Sequence, residues 1–223
     1  MPRKLIDVSH EIEAGMTTYP GLPAPAISDY LSREASSGIY AEGTTFQIGR
    51  IEMVANTGTY VDAPFHRFAD GMDLAGLPLE RLADLPGLVI DVTGRQNRAI
   101  DADAFEQLDL SGKAVLIRTG WDVHWGTQQY GEGAPFLTRQ AAEFLVSASP
   151  ALVGIDSVNI DDRLDGERPA HTLLLGAGIL IAEHLCNLGN LDQLSSSGFR
   201  FHCVPVKFRG VGTFPVRAYA VIE

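Results

Sequence analysis

Six short runs dense in Val, Ile and Phe, at positions 46–54, 87–92, 114–118, 152–155, 201–208 and 216–222, constrain this chain most, because β-branched and aromatic runs of this length read as strands. Helical patterning is sparser. Thr138 stands as an N-cap before Ala141, Ala142, Phe144 and Leu145, which predicts a helix over 138–148; further helices are expected over 179–188 and, shorter, over 101–108. Many strands with few helices and no strict βαβ alternation predict a mixed α/β (α+β) fold rather than a doubly wound nucleotide-binding sheet, in keeping with the lack of a GxGxxG or Walker sequence. No repeat or Ser/Gly linker divides the 223 residues, and 45% hydrophobic content suffices for one sizeable core, so residues 1–223 are expected to form a single compact domain.

Charge narrows the partners. With 17 Lys and Arg against 28 Asp and Glu, a net charge of -11, the chain lacks the clustered positive field that nucleic acid or an anionic membrane requires, so a small neutral or weakly charged molecule is the expected substrate. The first residues carry Arg3 and Lys4 but no apolar export segment, which predicts a cytoplasmic protein. The longest apolar stretch, 172–182, is far shorter than the roughly 20 residues of a membrane span. Cys186 and Cys203 are too few for a disulfide framework and read as inert core thiols.

The densest chemistry lies in the eleven residues from Asn56 to His66, which read NTGTYVDAPFH. Asp62 and His66 are four apart with Pro64 between them, which places both on a rigid loop or a short helical entry turn. A carboxylate there can bind a cation while the imidazole handles protons; the same pair also suits a turn-capping Asp and a structural His. Downstream, 153–157 reads as a strand ending in polar residues, and His171 and Glu183 flank an apolar run. These two converge only if the chain folds back through Gly176 or Gly178; otherwise His171 is a loop residue and Glu183 a solvated helix position.

Taken together these residues resemble the cyclase family that includes bacterial kynurenine formamidases and isatin hydrolases, whose signature is HxGTHxDxPxH followed far downstream by a His and a Glu. The resemblance runs nearly end to end, through the stretches 6–10 (IDVSH), 19–21 (YPG), 117–121 (IRTGW), 154–157 (GIDS) and 183–188 (EHLCNL). It implies a compact domain of the swivelling β/β/α type, with Asp62, His171 and Glu183 as metal ligands and His66 as the proton-transfer residue. Asn56 and Tyr60 occupy the places of the two signature histidines. An Asn carbonyl is a poor zinc partner and a Tyr must lose its proton to bind strongly, so with Asn56 at most a weak ligand one divalent metal, Zn or Mn, is implied rather than two. Tyr60 is then expected to donate a hydrogen bond in catalysis, with Thr59 and the Gly58 backbone orienting an oxyanion.

The implied activity is hydrolysis of a carbon–nitrogen bond other than a peptide bond, in an aryl formamide such as N-formylkynurenine (a step of tryptophan catabolism) or in a cyclic amide or lactone. A metal-free ligand-binding protein and a non-hydrolytic cyclase or dehydratase are the alternatives on the same fold. Phe46, Phe65, Phe68, Tyr19 and Trp121 are candidates for an aromatic pocket, although such residues more often belong to the core. The family further implies a homodimer or homotetramer.

Overall fold

The strands form where apolar side chains alternate between two buried faces. A computed structural model describes residues 3–192 and 198–222, in which the strands are, in chain order, β1 (Lys4–Asp7), β2 (Ala26–Leu31), β3 (Ile48–Glu52), β4 (Tyr60–Asp62) and β5 (Leu85–Asp91). There follow β6 (Ala99–Ile100), β7 (Ala114–Arg118), β8 (Phe136–Leu137) and β9 (Leu152–Ile155), then β10 (Leu180–Glu183), β11 (Phe199–His202), β12 (Thr213–Pro215) and β13 (Tyr219–Ile222). The helices are α1 (Arg33–Ser36), α2 (Arg139–Ala148), α3 (Pro169–Gly176) and α4 (Gly189–Asp192).

Nine strands make one mixed sheet in the order β1-β13-β11-β5-β7-β9-β10-β4-β12. Its centre, β5-β7-β9-β10, is parallel, and the flanking pairings on both sides are antiparallel. Period-two alternation sends Ala114 and Leu116 of β7 into one core and Val115 and Ile117 into the other, so the central strands are apolar on both faces. Helices α2 and α3 cover the second face: Ala141, Ala142, Leu145, Ala170, Leu174 and Leu175 pack there against Val153, Ile155 and Ile181. Helix α2 starts where expected, the Thr138 hydroxyl accepting from the Ala141 amide at 3.1 Å.

Several expected boundaries change. The stretch 179–188 is not a helix: Leu180–Glu183 is a fully buried strand pairing with both β9 and β4, while the helix lies upstream as α3. A short buried apolar run satisfies either structure, and the break after Gly176, with Gly178 left-handed at φ 75°, turns the chain back into the sheet. Likewise 101–108 supplies only a 3₁₀ turn, Ala102–Ala104, and the strand expected over 201–208 ends at His202. The run 46–54 contributes β3, which pairs only with β2 in a separate two-stranded ribbon, every residue of which except Leu31 is exposed.

Candidate metal and proton-transfer site

The register of β4 assembles the site. Tyr60 lies opposite Glu183 of β10 and Asp62 opposite Thr213 of β12, and the alternation that points Val61 into one core turns Tyr60 and Asp62 to the side covered by α3. His171 descends from α3, and His66 follows within the 3₁₀ turn Pro64–His66 that Pro64 starts. Thus Asp62, His66, His171 and Glu183 meet at one place. Gly212 makes the close approach possible, because a Cβ there would collide with the His66 backbone.

Glu183 is fully buried and both its oxygens are occupied: the Tyr60 hydroxyl donates to Oε2 at 2.6 Å and the Ile160 amide to Oε1 at 2.6 Å. Burial, with a further push from Asp62, raises its carboxyl to about 7 against the pull of His171. Burial and the neighbouring carboxylates Glu183 and Asp62 also hold the Tyr60 hydroxyl well above its ordinary range, although Asn56 bonds to it. Tyr60 therefore keeps its proton and gives its hydrogen bond to Glu183.

His171 is held by Asp161, whose Oδ2 lies 2.6 Å from Nδ1 and whose carboxylate also accepts from the Ala170 and His171 amides. That bond places the Nδ1 proton toward Asp161 and turns Nε2 to the centre, 3.7 Å from Asp62 Oδ2 and 3.8 Å from Glu183 Oε1. Burial opposes a charge on His171, but Glu183, Asp161 and Asp62 outweigh it and hold its pKa well above the usual value.

On the cavity side, His66 Nδ1 lies 2.8 Å from the Thr213 hydroxyl, which donates its own proton to Asp62 Oδ1. With that proton spent, Thr213 accepts from His66 Nδ1–H, which leaves His66 Nε2 with a free lone pair. Asp62 Oδ2 is buried and accepts no hydrogen bond. Burial alone would raise the Asp62 carboxyl, yet the imidazole of His171 at 3.7 Å, that of His66 nearby and the bond from Thr213 together hold it below its usual range.

This donor set fits a divalent cation. One ligand atom each from Asp62, His66 and His171 lies within 4.8 Å of the others. Around a cation bonded at roughly 2.0–2.2 Å, tetrahedral partners stand about 3.3–3.6 Å apart, so the Asp62–His171 spacing needs little adjustment. Glu183 lies outside that triangle but beside His171, and Asn56 lines the adjoining cavity of about 280 Å³.

Other sequence candidates are engaged elsewhere. The Thr59 hydroxyl donates to the His184 carbonyl and accepts from the His10 amide, and the Gly58 amide donates to Thr18, so neither is free to hold an oxyanion. Of the expected aromatic pocket only Tyr19 lines the cavity; Phe68 packs against the α2–α3 core, Trp121 joins a small cluster near Tyr130, Phe65 is half-buried and Phe46 sits exposed against Tyr40. Asp161, Asn159, Thr213 and Arg168 belong to the site although sequence reading passes over them. The polar density of 156–162 (DSVNIDD) after β9 was the available signal for the first two.

Residues 6–162 match the family described as "Putative cyclase". Over 214 residues the chain is 28% identical to the kynurenine formamidase of Bacillus cytotoxicus, covering 96% of this chain and 95% of that one, and it matches the Bacillus cereus protein of the same name equally well. It superposes on a predicted metal-dependent hydrolase from Bacillus stearothermophilus with a TM-score of 0.77 at 25% identity, covering 100% of both. Isatin hydrolase A from Labrenzia aggregata gives a TM-score of 0.80 at 21% identity, over 99% of this chain and 94% of that one, a likeness of fold.

Proposed function

This chain belongs to the cyclase family, and from that premise we propose that it is a metal-dependent amide hydrolase acting on a small aryl formamide, converting Ar–NH–CHO and water to Ar–NH₂ and formic acid. The observation that carries this reading is Asp62 Oδ2, a buried carboxylate oxygen without a hydrogen bond, 3.7 Å from the Nε2 of an imidazole whose other nitrogen is fixed by Asp161. Asp62 and His171, with Glu183 as third ligand, would hold one divalent cation, Zn or Mn. When bound, such an ion polarises the amide carbonyl and lowers the pKa of a water.

The remaining work falls to side chains. His66, its Nδ1 engaged by Thr213, presents Nε2 to take a proton from the attacking water and return it to the departing nitrogen. Asp161 keeps His171 in one tautomer, and Tyr60 holds Glu183 in one orientation without surrendering its proton. Tyr19 and Leu22 supply apolar wall for the ring. Two free, buried cysteines accord with a reducing, cytoplasmic location, and among the described residues no helix is long and apolar enough to cross a membrane.

Formanilide hydrolysis with metal-free, zinc-loaded and manganese-loaded protein tests the proposal. Activity should appear only with metal, and His66→Ala should lower kcat by about a hundredfold or more with metal content intact. Loss of metal in that variant would make His66 the third ligand instead, consistent with its place in the triangle with Asp62 and His171. A second reading, metal-free acid–base chemistry, draws on the completeness of Glu183's hydrogen bonding, and activity indifferent to EDTA would favour it.

We also propose a homodimer or homotetramer in which a second copy covers the β2–β3 ribbon. Ile27, Tyr30, Ile48 and Ile51 are exposed there, Tyr30 at 76%, and a two-stranded ribbon with both faces in water is marginally stable alone. Light scattering at micromolar concentration should give a multiple of 24.1 kDa. Tyr30→Asp with Ile51→Asp should shift the protein to monomer; a monomeric parent protein would overturn this assembly.

A further inference from the structure

Resting on the amide-hydrolase reading above, we propose that the cavity contains a carboxylate subsite built on Arg168, with Arg67 also lining the wall, and that the substrate is an anionic amide anchored there by an acidic arm. In a chain of net charge -11 carboxylates are plentiful, and Arg95, Arg118, Arg139 and Arg217 each hold one within 2.9 Å. The two arginines of this cavity do not. Arg168 reaches only neutral acceptors, Asn159 Oδ1 at 3.1 Å, the Tyr19 hydroxyl at 3.4 Å and the carbonyls of Arg163 and Asp162 at 3.4 and 3.5 Å. Arg67 bonds to the Thr172 hydroxyl at 3.2 Å and lies over the Phe68 ring. Among the described residues lining the cavity the acidic one is Glu183, and it is bonded by Tyr60, Ile160 and Asn159 rather than by either guanidinium.

Arg168 is also held in place at a cost. Its φ of 49° is left-handed, which a non-glycine residue adopts only when its surroundings over-determine it, and four hydrogen bonds from the guanidinium do so here. The backbone kink precedes α3, so Arg168 stands three residues before His171. Asn159 joins the two ends of the cavity, accepting from Arg168 and donating to Glu183 Oε2 at 3.5 Å. An anchor and a reaction centre separated by one side chain suit a ring that carries a carboxylate at one position and the amide at another. A planar guanidinium recognises a carboxylate through paired, charge-assisted hydrogen bonds, which Lys cannot reproduce; Nε of Arg168 makes none of the four bonds, and Nη2 would exchange its 3.4 Å contacts with Tyr19 and Arg163 for the incoming oxygen. The subsite alters the expectation of a neutral or weakly charged substrate drawn from bulk charge, since two arginines line the cavity of an acidic chain.

The test compares formanilide with N-formylanthranilate, its carboxylate-bearing counterpart, and benzamide with benzoate as ligands of metal-free protein. The kcat/KM ratio should favour N-formylanthranilate by about tenfold or more, and benzoate but not benzamide should bind by calorimetry. Arg168→Gln should bring the ratio near unity and weaken benzoate at least about tenfold, with Arg168→Lys in between. Equal treatment of the two formamides, or benzoate binding that Arg168→Gln leaves unchanged, would overturn the subsite. If neither formamide is hydrolysed with any metal, the amide-hydrolase reading fails, while benzoate binding to metal-free protein still decides the subsite.

Discussion

Asp62→Asn is expected to leave the fold standing and to remove both metal and activity. Asn offers the Thr213 hydroxyl the same Oδ1 acceptor, so the β4–β12 contact survives. What disappears is the charge at Oδ2, buried, unbonded and 3.7 Å from His171 Nε2. An amide nitrogen there repels a cation and a neutral side chain no longer offsets one, so without a water activated at the metal kcat/KM should fall by roughly a thousandfold or more. Elemental analysis after dialysis should find the variant empty under conditions where the parent protein retains metal, with the two circular dichroism spectra superimposable. Full metal occupancy with more than a tenth of parental activity would remove Asp62 from the ligand set.

Fold and site were legible in the sequence to different depths. Strands over 114–118 and 152–155 appear with the expected bounds, and α2 begins at Thr138, because in these stretches local propensity, capping and burial agree. Over 179–188 they do not: a continuous apolar run carries no period, and only its place between β9 and β4 decides for a strand. The fold-back through Gly176 or Gly178 that lets His171 and Glu183 meet was legible as a condition; what the ambiguity hid is that the turn joins a helix, α3, to a strand, β10. Asp62 and His66 stood out as an acid and an imidazole around Pro64, whereas His171 and Glu183 took their roles from the family resemblance, since their spacing alone suits a loop residue and a solvated one equally. Thr213 and Arg168 carry no local mark; one enters as a cross-strand partner of Asp62, the other through the left-handed residue that opens α3. Tyr60 was visible as a departure from the family signature, but its role depends on facing Glu183 across the sheet.

The sheet register has a further consequence behind the site, in the response to acid. His184 follows Glu183 just past the end of β10: its ring is fully buried, 5.1 Å from that of Tyr60, with Nδ1 3.0 Å from the Tyr130 hydroxyl and Nε2 unbonded. Burial, with the neighbouring His10, lowers its pKa to about 3. The folded protein thus keeps His184 neutral while the unfolded chain takes up a proton near pH 6.5, so the unfolded state binds more protons below that pH and stability falls as pH falls. The loss from this residue should reach about 2 kcal/mol at pH 5 and on the order of 4 kcal/mol near pH 3, where the folded state is finally protonated. Glu183 and Asp156, pushed up to about 7 and about 6 mainly by burial, act in the opposite sense, and His10, lowered to about 4, in the same sense. All three are present in a His184→Gln variant, which removes only the titration in question. Urea unfolding of chelator-treated protein at pH 7 and pH 5 should therefore show the parent losing roughly 2 kcal/mol more than the variant across that interval. Parallel losses in the two proteins would mean that His184 accepts its proton in the folded state, and that the wall behind Tyr60 is open to water rather than sealed.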